Sequence, residues 1–218
     1  MSEGSPLQTA LYFAESGEVV TDREQIAADM RARGLRFETW PAPAAFAPDA
    51  AAETVLAAYA APLRHLMETE GYASADVVVL HAAMDNVRAI REKFLSEHTH
   101  SEDEVRFFVE GSGEFWFHLE NEVFALRCVA GDFISVPAGV PHWFDCGQRP
   151  FVKAIRVFSD TAGWTPHYAE TATHRSYIGT FGAAPGQRAT LMPPGPQGAS
   201  VVDAIGGASA PSSTGARA

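Results

Sequence analysis

Between residues 98 and 158 the chain breaks into short apolar runs, EVRFFVEG, SGEFWFHL, EVFALRCV, GDFISVPAG, HWFDCG and FVKAIRVF, separated by turn residues. Aromatic and β-branched residues fill each run. The runs recur roughly every 8 to 12 residues, the spacing of short strands joined by tight connections in a small sandwich or barrel. GSG at 111–113 is expected to form a hairpin loop between two strands. PAGVPH at 137–142 fits a tight turn at the mouth of a barrel.

The flanks read differently. LQTALYFA at 7–14 suits an edge strand. DREQIAADMRARG at 22–34 has Ile26, Met30 and Leu35 near helical spacing, with Gly34 as a stop. Residues 49–71 are alanine-rich and helical, with a break or kink expected at Pro62. ADVVVLHA at 75–82 reads as a buried strand, and DNVRAIREKFLSE at 85–97 as a helix with Asp85 as N-cap. The expected fold is therefore mainly β: an antiparallel β-barrel with its helices on the N-terminal side.

After residue 181 the texture changes again. Of the last 37 residues, 25 are Gly, Ala, Pro or Ser, and none is aromatic. Such a segment buries too little apolar surface to offset its ordering entropy. The reading is one folded unit over 1–181 and a disordered tail over 182–218. Truncation after Gly182 is expected to leave thermal stability and turnover nearly unchanged. A loss of more than about 1 kcal/mol, a sizeable part of a domain's margin, would show instead that the tail docks.

Sixteen basic against twenty-seven acidic residues give a net charge of −11. That balance disfavours nucleic acid and anionic membrane as partners. MSEGSPLQTA has neither a basic nor an apolar leader-like stretch, so no signal peptide is expected, and no apolar run approaches the roughly 20 residues of a membrane span. Cys128 and Cys146 form no CxxC motif and read as reduced thiols, so a cytoplasmic protein is expected. A monomer is expected as well.

The chemistry concentrates in EHTHSEDEVRFFVEGSG at 97–113. His98 and His100 lie two apart and share one face of a strand. Glu104 and Arg106 have the same parity if the strand resumes after a short turn at SED. His142 follows Pro137, Gly139 and Pro141 in a turn. Three imidazoles and a carboxylate suit one Fe, Ni, Zn, Mn or Co ion without any thiolate. Four protein ligands leave two positions of an octahedron open, unlike a closed structural zinc site.

His98-x-His100-x3-Glu104-x6-Gly111 and Gly131-x5-Pro137-x-Gly139-x2-His142 match the two metal motifs of the cupin superfamily, a jelly-roll fold. Cys146 stands where many cupins have asparagine, away from the four ligands. KFLSEHTHSEDEVRFFVEGSGEFWF and DFISVPAGVPHWFD more narrowly resemble the acireductone dioxygenase family of methionine salvage, over roughly residues 7 to 180. The resemblance implies His98, His100, Glu104 and His142 as ligands of one Fe(2+) or Ni(2+) per chain, with acireductone and O2 as the small-molecule partners. With iron it implies 4-methylthio-2-oxobutanoate and formate as products; with nickel it implies methylthiopropionate, formate and carbon monoxide.

Arg106, on the face of Glu104, is the candidate catalytic and substrate-binding group that holds the anionic enediolate. Its alternative is a surface ion pair with Glu102 or Asp103. Phe94, Phe144 and Trp164 are candidate walls for the methylthio tail, or ordinary core residues. Glu97, Glu102 and Asp103 are either exposed turn acids or acceptors for the imidazole N–H groups of the ligands. His65, His81 and His118 read as structural, and His167 and His174 as loop residues. Two competing functions are a cupin sugar-phosphate isomerase, which needs more basic groups than Lys93 and Arg106, and a non-catalytic ligand-sensing cupin.

Overall fold

In the computed structural model, residues 7–41, 46–47, 49–160 and 164–182 are described. The tail beyond Gly182 lies outside them. The strands are β1 (Ala10–Phe13), β2 (Val19–Val20), β3 (Arg36–Thr39), β4 (Ser74–His81), β5 (His98–Thr99), β6 (Glu104–Leu119), β7 (Glu122–Val129), β8 (Asp132–Val136), β9 (His142–Asp145), β10 (Phe151–Phe158) and β11 (His167–Tyr168). Every described pairing is antiparallel. One sheet runs β11-β5-β9-β6-β7-β1-β2, and the other runs β4-β10-β6-β8-β3. The antiparallel β-barrel expected of a cupin is therefore present.

β6 belongs to both sheets, and here the expected hairpin at GSG is wrong. Residues 104–119 form one continuous strand that crosses from one sheet to the other. Two features let it turn the corner. Val109 is an extra residue, since Ala154 faces Phe108 while Lys153 faces Glu110. Such a bulge bends the strand and flips its parity. Gly111 then takes φ +75°, with the Phe151 carbonyl oxygen only 1.8 Å from where a Cβ would lie. Any side chain there meets backbone, so the glycine serves a bend between sheets.

The parity flip sorts the core. Phe108, Phe115 and Phe117 join Leu126, Ile134, Phe144 and Val152 inside the barrel. Val105, Phe107 and Val109 face out, under helices α2 (Ala52–Ala58) and α3 (Ala60–Glu70); Val55, Leu63 and Leu66 of the helices and Tyr59 between them cover these residues. Each such large side chain contributes about 1.5–3 kcal/mol by leaving water. Both faces of β6 are thus buried over residues 104–109, so Glu104 and Arg106 face one another inside the barrel, while the part-buried Glu110 and Glu114 pair with Lys153 and Arg127 of neighbouring strands.

The helices depart from expectation in detail. α1 (Arg23–Ala32) is capped by Asp22, whose side chain accepts the Gln25 N–H at 2.8 Å. The 49–71 segment breaks at Tyr59, not Pro62. Pro62 lies in the first turn of α3, where a missing N–H leaves no intrahelical bond unmade. α4 (Val87–Leu95) starts after Asn86 with no side-chain cap, so Asp85 does not cap it. β4 is half-buried apart from buried Leu80 and exposed His81, because among the described strands it pairs with β10 alone. β1 is no edge strand: it lies between β7 and β2. Among the described residues no helix is long and apolar enough to cross a membrane.

Candidate metal centre

His98 opens β5 and faces His142, the first residue of β9; His142 in turn faces Phe117 of β6. Gly139, at φ +79°, turns the chain so that its N–H donates to the His100 carbonyl at 2.9 Å. The two motifs, 38 residues apart at Glu104 and His142, thereby close on one point. One ligand atom from each of His98, His100, Glu104 and His142 lies within 4.8 Å of the others. All four side chains are buried.

The ring nitrogens decide what this cluster can do. His98 Nδ1 is 2.7 Å from the Ser96 carbonyl, His142 Nδ1 is 2.8 Å from that of Val140, and His100 Nδ1 is 3.2 Å from that of Thr165. A carbonyl only accepts, so each Nδ1 carries the proton and each Nε2 presents a lone pair. Nε2 of His100 and of His142 then face Glu104 Oε2 at 2.9 and 3.1 Å. Lone pairs converging at such distances in a buried site are matched by a shared cation. The N3O donor set suits a borderline divalent ion, and the carbonyls that hold the rings fix their orientation.

Charge supports the same reading. Burial lowers the His98 pKa to about 4, with His142 adding to the effect, so the ring is neutral and able to ligate at neutral pH. Burial alone would raise the Glu104 pKa, but Arg106, His100 and His142 together hold it well below the usual carboxylate range.

Arg106 is 5% exposed, which overturns the alternative of a surface ion pair with Glu102 or Asp103. Its Nε lies 2.7 Å from Glu104 Oε1 as an ion pair, without the alignment of a hydrogen bond. Its guanidinium carbon sits 4.9 to 5.8 Å from the ring centroids of Phe94, Phe115, Phe144 and Trp164. The three aromatic residues anticipated from sequence are thus brought to one cation. Room for Phe144 comes from Gly113, where a Cβ would meet the Phe144 ring at 2.1 Å.

Other expectations need correction. Neither Glu97, Glu102 nor Asp103 accepts from a ligand imidazole, since backbone carbonyls do. Glu97 is buried and accepts from His118 and Thr171. Asp103 Oδ1 accepts the Ala138 N–H at 2.9 Å, and Glu102 Oε2 is buried without a partner. His174 is buried beside the Glu97 N–H, while His65, His81 and His167 are exposed. Arg156 escaped sequence reading. It faces Arg106 across β10 and β6, holds Asp76 and lies 5.6 Å from the Trp164 ring. Only the strand register reveals it.

Residues 14–166 match the sequence profile of the ARD/ARD′ family. The chain belongs to this family. Its similarity to individual members is high: 54% identity over 170 residues to the acireductone dioxygenase of a Picosynechococcus species, covering 78% of this chain and 97% of that one. The acireductone dioxygenase of Gluconobacter oxydans is 54% identical over 149 residues, 68% of this chain and 79% of that one. Among solved structures, acireductone dioxygenase from Bacillus anthracis superposes with a TM-score of 0.68 at 26% identity. It covers 75% of this chain and 100% of that one, and it holds a cadmium ion in its active centre.

Proposed function

We propose that this ARD/ARD′ family member is a metal-dependent dioxygenase that cleaves acireductone with O2 in methionine salvage. The observation that carries the reading is the convergence of three Nδ1-anchored imidazoles and Glu104 within 4.8 Å. His98, His100, Glu104 and His142 are the ligands of one Fe(2+) or Ni(2+) per chain. Bound there, such an ion would supply Lewis acidity toward the anionic enediolate.

The chain's own residues do the rest. The Nδ1 anchors keep the three rings pointed inward. Glu104 would help to hold the ion, and its Oε1 lies 2.7 Å from Arg106 Nε. Arg106, the catalytic cation, grips the enediolate and offsets the charge that develops as the carbon chain is cut. Phe94, Phe144 and Trp164 receive the methylthio tail and exclude water, which strengthens every charge interaction in the pocket. The expected protein is a cytoplasmic monomer whose partners are acireductone and O2; its two thiols are free and buried, in keeping with a reducing compartment.

Product choice tests this reading. Stripped protein reconstituted with Fe(2+) is expected to give 4-methylthio-2-oxobutanoate and formate. With Ni(2+) it is expected to give methylthiopropionate, formate and carbon monoxide. Gas chromatography and acid analysis after one turnover separate the two sets. A single product set with both metals would refute metal control, and no oxygen uptake with either would refute the activity.

A further inference from the structure

The three imidazole anchors are not alike. Ser96 and Val140 lie two residues before His98 and His142, so those anchors form within their own turns. His100 is held by the carbonyl of Thr165, 65 residues downstream. Its orientation therefore depends on a distant segment being docked.

That segment, residues 164–177, crosses the end of the first sheet as a strap. Trp164 Nε1 donates to the Asp103 carbonyl at 3.0 Å, and β11 pairs with β5 through His167↔Thr99 and Tyr168↔His98. His174 and Tyr177 pack against Trp143 and Trp116, and three further hydrogen bonds of the strap meet at one residue. Glu97, only 3% exposed, accepts the Thr171 hydroxyl on Oε2 at 2.7 Å and the His118 Nδ1–H on Oε1 at 2.9 Å. The Ala169 N–H donates to the Glu97 carbonyl at 2.9 Å, and the Glu97 N–H reaches His174 Nδ1 at 3.4 Å. Both carboxylate oxygens and both backbone groups of one buried residue thus join β6 to the strap, directly before the first ligand.

We infer that Glu97 is a positioning residue for the metal centre: by locking the strap over residues 164–177, it places the Thr165 carbonyl that orients His100. A buried carboxylate is costly unless it is hydrogen-bonded, and the bonds to both oxygens make Glu97 a firm clasp. Outer partners of this kind typically govern metal affinity by about 10- to 100-fold. The inference rests on the four-ligand assignment proposed above.

The test uses Zn(2+), which is diamagnetic, in the full-length chain. Affinity is measured by competition with a chromophoric chelator, and the ring protons are followed by 15N-histidine NMR. Wild type is expected to bind one ion and to show three slowly exchanging Nδ1–H signals. Thr171→Val removes one tie at an exposed residue and keeps the fold; Glu97→Ala removes both side-chain ties. Each is expected to weaken Zn(2+) binding, by about 10- to 100-fold for Glu97→Ala, and to speed exchange at His100 while sparing His98 and His142. Glu97→Gln is expected to bind nearly as wild type. Its carbonyl accepts from Thr171, and its amide donates to the other tautomer of His118. Unchanged affinity in Glu97→Ala, equal loss of all three signals, or a glutamine variant as weak as alanine would overturn the clasp. Failure of wild type to bind would overturn the ligand assignment itself.

Discussion

His142→Ala is expected to lose bound metal and oxygen-dependent turnover together. Its Nε2 is 3.1 Å from Glu104 Oε2, and its Nδ1 is tied to the turn that carries it, so the ring is fixed toward the centre. Removing a ligand costs more than the roughly 10- to 100-fold in affinity that accompanies loss of an outer partner. The fold is expected to survive. The histidine opens a strand whose next residues, Trp143 and Phe144, carry the packing on both sides of the sheet. Metal analysis, oxygen uptake and circular dichroism on one preparation check this. A metal-free variant that still turns over would remove His142 from the centre, and an unfolded one would make its role structural.

Arg106→Met is expected to lower kcat/KM by about 10- to 150-fold at saturating metal. Losing a hydrogen bond to a charged partner costs roughly 1.5–3 kcal/mol, and each 1.4 kcal/mol is about tenfold in rate. Saturating metal matters because Arg106 also touches Glu104 Oε1, so the variant is expected to bind metal more weakly as well. Arg106→Lys is expected to recover part of the loss, since a point charge replaces a planar fork. The aromatic rings around the guanidinium would enclose either replacement. Steady-state oxygen uptake against metal concentration separates the two effects. If kcat/KM returns to wild type once metal saturates, Arg106 supports Glu104 and does not hold substrate.

Much of the centre was legible before any coordinates because strands have a period of two. His98 and His100 share a face for that reason alone, as do Glu104 and Arg106. The barrel was legible for a related reason: aromatic and β-branched runs at strand spacing have few other ways to be buried. The meeting of His142 with His98 is different in kind. Nothing local brings them together: the sequence offers His142 as a candidate ligand, and only the fold sets it opposite His98.

What the sequence by itself determined was the class of fold, the four candidate ligands and the cation beside them, because strand alternation and motif spacing are local properties. Tertiary structure alone decided how GSG is used. A glycine pair reads as a turn, yet the backbone of Phe151 and the ring of Phe144 occupy the places of the missing side chains, so β6 runs on through both sheets. It also decided the places of Arg156, Glu97 and the strap. Arg156 reaches the pocket through strand register, and residues 164–177 have no periodic pattern of their own. Their anchoring comes from hydrogen bonds to Glu97, Asp103 and His100, more than sixty residues away in the chain, and contacts at that range leave no trace in local sequence.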